Sequence, residues 1–143
     1  MELFNSKKQD FISYCLKKDN CIPTLPIIKQ NKNLEAVLIE FRMLPHLSFI
    51  LKNSIFKLGS EWSFTIICGN LNYDFFNNLK RVINRDIKII KKDIDNISRE
   101  EYSIMLLDSS FYKMFTGEKI LIYQEDTIIL QSLLPSKNNL PYE

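Results

Sequence analysis

From Glu35 onward the chain alternates two patterns: short unbroken apolar runs, and longer stretches in which apolar residues return every three or four positions. Ala36-Val37-Leu38-Ile39 is the first run, and its lack of polar alternation marks a strand buried on both faces of a sheet. Pro45 then opens a helix at its first turn. Leu47, Ile50, Leu51, Ser54, Ile55 and Leu58 carry the helical period, and Gly59 closes it. Trp62 to Cys68 predicts the second strand, ended by Gly69-Asn70. Asn72 caps a second helix running to Asn84, with Phe76, Leu79, Val82 and Ile83 on its core face. Ile87 to Ile90 predicts a third strand. Ser98 and Glu101 form a capping box for a helix that buries Tyr102, Met105 and Leu106. Ser109 to Phe115 predicts a further helical turn or two, and Lys119 to Tyr123 the fourth strand, which delivers Gln124-Glu125-Asp126-Thr127 at its carboxyl end.

Strands alternating with helices predict an α/β, Rossmann-like three-layer domain around a mostly parallel sheet of about four strands. That domain spans residues 35–134. Residues 1–34 read as an arm containing one short helix, Asp10 to Lys18, followed by an extended path that Pro23 and Pro26 impose. Residues 135–143 read as a tail. In parallel sheets ligands bind beyond the carboxyl ends of the strands. That rule selects three loops: Glu40-Phe41-Arg42, Gly69-Asn70, and Gln124 to Thr127.

Composition narrows the classes of function. A net charge of +2 over 143 residues is far from the basic excess of a protein held to nucleic acid by phosphate neutralisation, so no nucleic-acid partner is expected. The lysine pairs Lys7–Lys8, Lys17–Lys18 and Lys91–Lys92 are too scattered to form a stripe and read as solvated surface. Cys15, Cys21 and Cys68 are odd in number and form no C-x-x-C pair, and with His46 as the single histidine no zinc site of familiar spacing can be assembled. Cys68, in an apolar run, reads as a small buried hydrophobe. No stretch approaches the roughly 20 apolar residues of a membrane span, and Met1 to Lys8 has no apolar secretory core. A cytoplasmic protein is expected. Only three glycines occur, and no glycine-built phosphate loop or nucleophile elbow is present.

Glu125-Asp126, after a buried strand, is the most suggestive chemistry. A carboxylate there can hold Mn²⁺ or Mg²⁺ bridging to a diphosphate, or the two acids simply end a strand in solvent. Arg42 suits a phosphate and Glu40 a ribose or base, unless the two pair with each other. Gly69-Asn70 lets a ligand come close to the backbone, or is a simple turn. His46 has no acid arranged beside it in sequence to orient it as a base. Tyr73, Phe75 and Phe76 can stack a base, although the spacing of Phe76 with Leu79 favours packing in the core.

Two blocks of residues also resemble a family. Val37-Leu38-Ile39-Glu40-Phe41-Arg42, Pro45-His46 and Leu58-Gly59-x-Glu61-Trp62 form the first. Tyr102, Leu106-Leu107, Ser109, Phe111 and Gly117-Glu118-Lys119-Ile120-Leu121-Ile122-Tyr123-Gln124-x-Asp126 form the second. Together they resemble an uncharacterised glycosyltransferase-like domain family of GT-A type, over roughly residues 35 to 131. There a segment of the type "iLifQtDs" occupies the place of the Asp-x-Asp motif. The resemblance implies the N-terminal half of a GT-A-type fold that binds a nucleotide diphosphate sugar, with Gln124 and, by position, Glu40 and Arg42 at the nucleotide; the strand-end rule adds Gly69 and Asn70 to that nucleotide-binding set. The resemblance also implies Asp126, with Glu125, at a Mn²⁺ or Mg²⁺ ion. Gln124 stands where the first Asp would be, and an amide is a poorer cation ligand than a carboxylate. If the strand persists, period-two alternation turns Glu125 away from that site. The acceptor-binding second half of such domains is not matched, so no residue is nominated as catalytic base. The expectation is a domain incomplete as a transferase, active with a second chain or as a homo-oligomer, or else a non-catalytic interaction module that keeps the fold.

Overall fold

The computed structural model describes residues 2–130. The tail expected at 135–143 and the last positions of the domain expected at 35–134 lie outside the described residues. Four strands, β1 (Leu34–Ile39), β2 (Ser63–Cys68), β3 (Ile87–Lys91) and β4 (Lys119–Tyr123), form one sheet in the order β3-β2-β1-β4. Every pairing is parallel, as the α/β, Rossmann-like reading requires. The two most fully buried strands, β1 and β2, occupy the centre. The edge strands carry lysines, Lys88 and Lys91 on β3 and Lys119 on β4, which discourage edge-to-edge pairing.

Strand alternation divides the apolar side chains between two faces. Ala36, Leu38, Phe64, Ile66, Cys68, Ile87 and Tyr123 pack under α2 (Leu47–Leu58), α3 (Tyr73–Ile83) and the N-terminal helix α1 (Glu2–Lys18). Val37, Ile39, Ile67, Ile120 and Ile122 face α4 (Arg99–Leu107) and the 3-10 segment Ser109–Met114, through Tyr102, Met105, Leu106, Phe111 and Phe115. Tyr73, Phe75 and Phe76 belong to the first face, and so pack in the core. Burial pushes the Cys68 thiol up to about 11, the state of an inert packed cysteine.

Three local expectations differ from the fold. Helix α1 begins at Glu2 instead of Asp10. Its first half, Ser6-Lys7-Lys8-Gln9, has no apolar period to announce a helix, and its half-buried Lys8 is held by an ion pair from across the molecule. Val82 is 70% exposed, because the buried strip of α3 runs through Phe76, Leu79 and Ile83, and Val82 falls off that stripe. Pro45 lies before α2, and His46 takes the capping position. The segment read as an arm supplies Cys15 and Ile28 to the same core as the sheet. Gly59 ends α2 at φ 83°, a conformation that strains any residue with a Cβ.

At the amino end of the sheet, Glu35 is 1% exposed and accepts from Thr65 Oγ1 (2.5 Å) and from the backbone N–H groups of Thr116 and Gly117 (both 2.9 Å). One carboxylate thereby ties β1 to β2 and to the chain entering β4. Glu35→Ala strands these donors and is expected to lower unfolding free energy in urea by about 2–4 kcal/mol. Glu35→Gln, which keeps an acceptor, should lose less, and a loss for Glu35→Ala within about 0.5 kcal/mol would remove this role.

Candidate functional site

Parallel pairing sends the ends of β1 and β4 out of the sheet side by side, with Leu38 opposite Tyr123. Glu40 follows β1 and is 6% exposed. Its Oε2 accepts from the backbone N–H groups of Phe41 (3.0 Å) and Arg42 (2.9 Å) and from Arg42 Nε (3.0 Å). Its Oε1 accepts from Arg42 Nη2 at 3.0 Å. Glu40 and Arg42 thus pair with each other, and Glu40 has no oxygen left without a protein donor. The fork aims the guanidinium, since bidentate pairing fixes its plane. It also raises the Arg42 pKa, with the Glu40 hydrogen bond as the chief cause.

Strand β4 stops at Tyr123, and a turn closed by Thr127 N–H on the Gln124 carbonyl (3.2 Å) separates the next residues. Gln124 stays on the side of α4. Glu125 turns to the opposite side and is 4% exposed. Its Oε2 lies 2.9 Å from His46 Nε2, its Oε1 accepts from Lys8 Nζ of α1, and Arg42 Nη2 approaches the same Oε1 at 3.3 Å. His46 Nε2 also lies 3.0 Å from the Glu125 carbonyl. Two acceptors on Nε2 put a ring proton there, and the buried Nδ1 has no partner among the described residues. The ring is packed edge-on against Phe11 at 5.6 Å. Burial works to raise the Glu125 pKa, but the hydrogen bonds from Lys8 and His46 prevail and hold it below the ordinary carboxylate value.

The same end of the sheet holds a third set of contacts. Asn72 occupies the capping position of α3, yet its side chain makes no cap. Instead its Nδ2 donates to the carbonyls of Glu40 (2.8 Å) and Arg42 (3.0 Å), while Oδ1 accepts from Gly69 N–H (3.0 Å). It staples the β1 loop to the end of β2. Gly69 is buried, and a Cβ added there would sit 2.3 Å from the Ile94 carbonyl oxygen. The space beside Gly69 is therefore filled by the chain itself. Asn70 is tied to the same loop, through its N–H to Ile94 O (2.9 Å) and its amide to Asp93 (3.0 Å) and Asp95 (3.1 Å).

A cavity of about 410 Å³ opens between the β1 loop and the start of α4, lined by Ile39, Glu40, Phe41, Arg42, Asn96, Ile97, Ser98, Arg99, Tyr102 and Gln124. Of the residues selected by sequence, the structure gathers Glu40, Arg42 and Gln124 there. Gly69, Asn70, Glu125 and Asp126 do not line it, and Asp126 is exposed. Tyr102 stands against Gln124, and burial raises the pKa of its hydroxyl. A hollow of about 490 Å³ along α3 is built from that helix and the turn after it. There Arg85 is engaged by the carbonyls of Pro26 (2.8 Å) and Leu25 (2.5 Å), which leaves it a structural clamp. Among the described residues no group of three His, Cys, Asp or Glu side chains is gathered that could hold a metal ion, and no helix is long and apolar enough to cross a membrane.

Sequence reading did not bring out Lys8, Asn72, Arg99 or a partner for His46. The adjacency of β1 and β4 supplies Glu125 to His46, and a one-dimensional pattern carries no trace of that adjacency. Asn72 looked like a cap because its spacing is that of a cap. No family model, curated protein or solved structure matches the chain. The class that fold and site define is an α/β domain of Rossmann-like form with a polar cavity at the carboxyl end of a parallel sheet.

Two outcomes follow from this geometry. A carboxylate whose folded pKa is depressed contributes stability above its unfolded value of about 4.3, and that contribution is lost as pH falls through the folded value. The stability difference between the native chain and Glu125→Gln should thus be level from about pH 5.5 to 7 and shrink below about pH 4; a difference that grows on acidification would contradict the pairing. Gly69→Ala should cost about 2–3 kcal/mol in denaturant unfolding, because the Cβ meets backbone and not a movable side chain. A neutral substitution would show that the loop at Ile94 moves aside.

Proposed function

We propose that this chain is a nucleotide-sugar-binding domain of the glycosyltransferase-like kind, which receives the nucleotide diphosphate in the cavity between the β1 loop and α4. The observation that most supports this reading is the convergence of Glu40, Arg42 and Gln124 on one cavity, at the end of the sheet where such ligands bind. Arg42 lines that cavity with its fork already oriented by Glu40, so little conformational freedom is lost when an anion is met. Tyr102 offers a ring and a hydroxyl on the opposite wall, suited to the base or sugar. His46 is fully enclosed by Glu125, Phe11 and the core, so it takes no part in proton transfer to a ligand. A reducing, cytoplasmic setting fits the free cysteines Cys15, Cys21 and Cys68.

The test is thermal unfolding with UDP, GDP and their sugar conjugates. A ligand present at about a hundred times its Kd stabilises by ~2.7 kcal/mol, which raises the midpoint of a domain this size by about 5–10 °C. Arg42→Met should abolish the shift; it also leaves the buried Glu40 carboxylate short of its Arg42 donors, so the ligand-free midpoint should fall, and the ligand-induced shift is read against that lowered baseline. No shift at millimolar nucleotide from a folded sample would sink this reading and leave an interaction module that keeps the fold.

A further inference from the structure

Resting on that reading, we propose that the cavity takes its diphosphate directly on arginine, without a divalent cation. The two acids that the sequence offers for a cation do not present their oxygens at one point. Glu125 is buried behind Arg42, its oxygens occupied by Lys8, His46 and Arg42. Asp126 is exposed and does not line the cavity. Within the lining, Glu40 is the one carboxylate, and both its oxygens accept hydrogen bonds from Arg42 and the backbone. A Mn²⁺ or Mg²⁺ ion needs several hard oxygen ligands, and Gln124 would have to lead with an amide. To free Glu125 for a cation, the fully buried His46 would lose its acceptor and the half-buried Lys8 its ion pair, which is unfavourable. The donor set therefore does not fit such an ion.

The cationic side of the same cavity is in place. Arg42 spends Nε and Nη2 on Glu40 and Glu125, and its remaining amino group, Nη1, makes no protein hydrogen bond among the described residues. Lys8 already pairs with Glu125, so Arg42 is shared chiefly with Glu40, and what it keeps for a ligand is the Nη1 donor group. Arg99 stands exposed on the rim with no side-chain partner among the described residues. The lining thus carries two guanidinium groups against one carboxylate. Guanidinium groups donate charge-assisted hydrogen bonds to phosphate without a metal bridge, here through Nη1 of Arg42 and the unengaged fork of Arg99. At the start of α4 the capping box already engages the N–H groups of Ser98 and Glu101.

Calorimetric titration of the full chain with UDP, and separately with inorganic pyrophosphate, each in EDTA and in Mn²⁺, separates the alternatives. The expected result is binding in EDTA with a Kd within about threefold of that in Mn²⁺. Arg42→Met should weaken it more than about tenfold, and Arg99→Met by about three- to tenfold, as expected for charge-assisted contacts to phosphate. Asp126→Ala should leave it unchanged. Binding that requires Mn²⁺, or that Asp126→Ala abolishes, overturns the cation-free site while leaving the nucleotide reading standing. Absence of binding in both buffers overturns the nucleotide reading and this inference with it. Should Arg42→Met fail to fold, the EDTA comparison and Arg99→Met still distinguish a cation-free site from a metal-dependent one.

Discussion

A buried carboxylate has to be met by donors, and the position of Glu125 imposes that requirement on three separate parts of the chain. Lys8 comes from α1, Arg42 from the loop after β1, and His46 from the turn that starts α2. Left unpaired, such a charge would cost several kcal/mol. Docking of the N-terminal helix, the path of the β1 loop and the start of α2 are therefore linked through one side chain. Phe11 on His46 and Tyr14 on Phe49, both edge-on, add apolar contact to the same helix. Cys15 is buried beneath it, its thiol raised to about 11 by burial and then by the nearby Glu125 charge.

The electrostatic arrangement has consequences for the cavity on the other side of Arg42. Glu40 and Glu125 hold the guanidinium from two directions, and Asn72 holds the backbone that carries it. The floor of the cavity is thereby rigid. Its rim, formed by Asn96, Ser98 and Arg99, is exposed, with Ser98 held in the capping box of α4 and Arg99 without a side-chain partner among the described residues.

Opposite ends of the sheet repeat one device with different partners. Glu35 at the amino end is satisfied by a hydroxyl and backbone amides, all neutral donors, and stitches three strands together. Glu125 at the carboxyl end is satisfied by charged and titratable side chains reaching in from loops. The first arrangement locks strands. The second places side chains where a parallel sheet exposes its ligand-binding edge.

The order of elements, the burial of the first strand on both faces and the capping box of α4 were legible in the sequence. Each depends on local periodicity or on residues three apart, which a chain displays without being folded. That the loops after the strands share one end of the sheet was legible too, because parallel strands all finish on the same side, and there Glu40, Arg42 and Gln124 line one cavity while Gly69, Asn70, Glu125 and Asp126 do not. Tertiary structure alone decided that β1 lies between β2 and β4, and so that Glu125 faces His46 across 79 positions of chain. It also decided that Asn72 staples two loops and does not cap, that Gly69 gives room to Ile94, and that a polar stretch around Lys8 becomes helix. These outcomes depend on which distant groups must satisfy a buried charge or a buried backbone donor, and such pairing is set by the three-dimensional arrangement of strands and not by spacing along the chain.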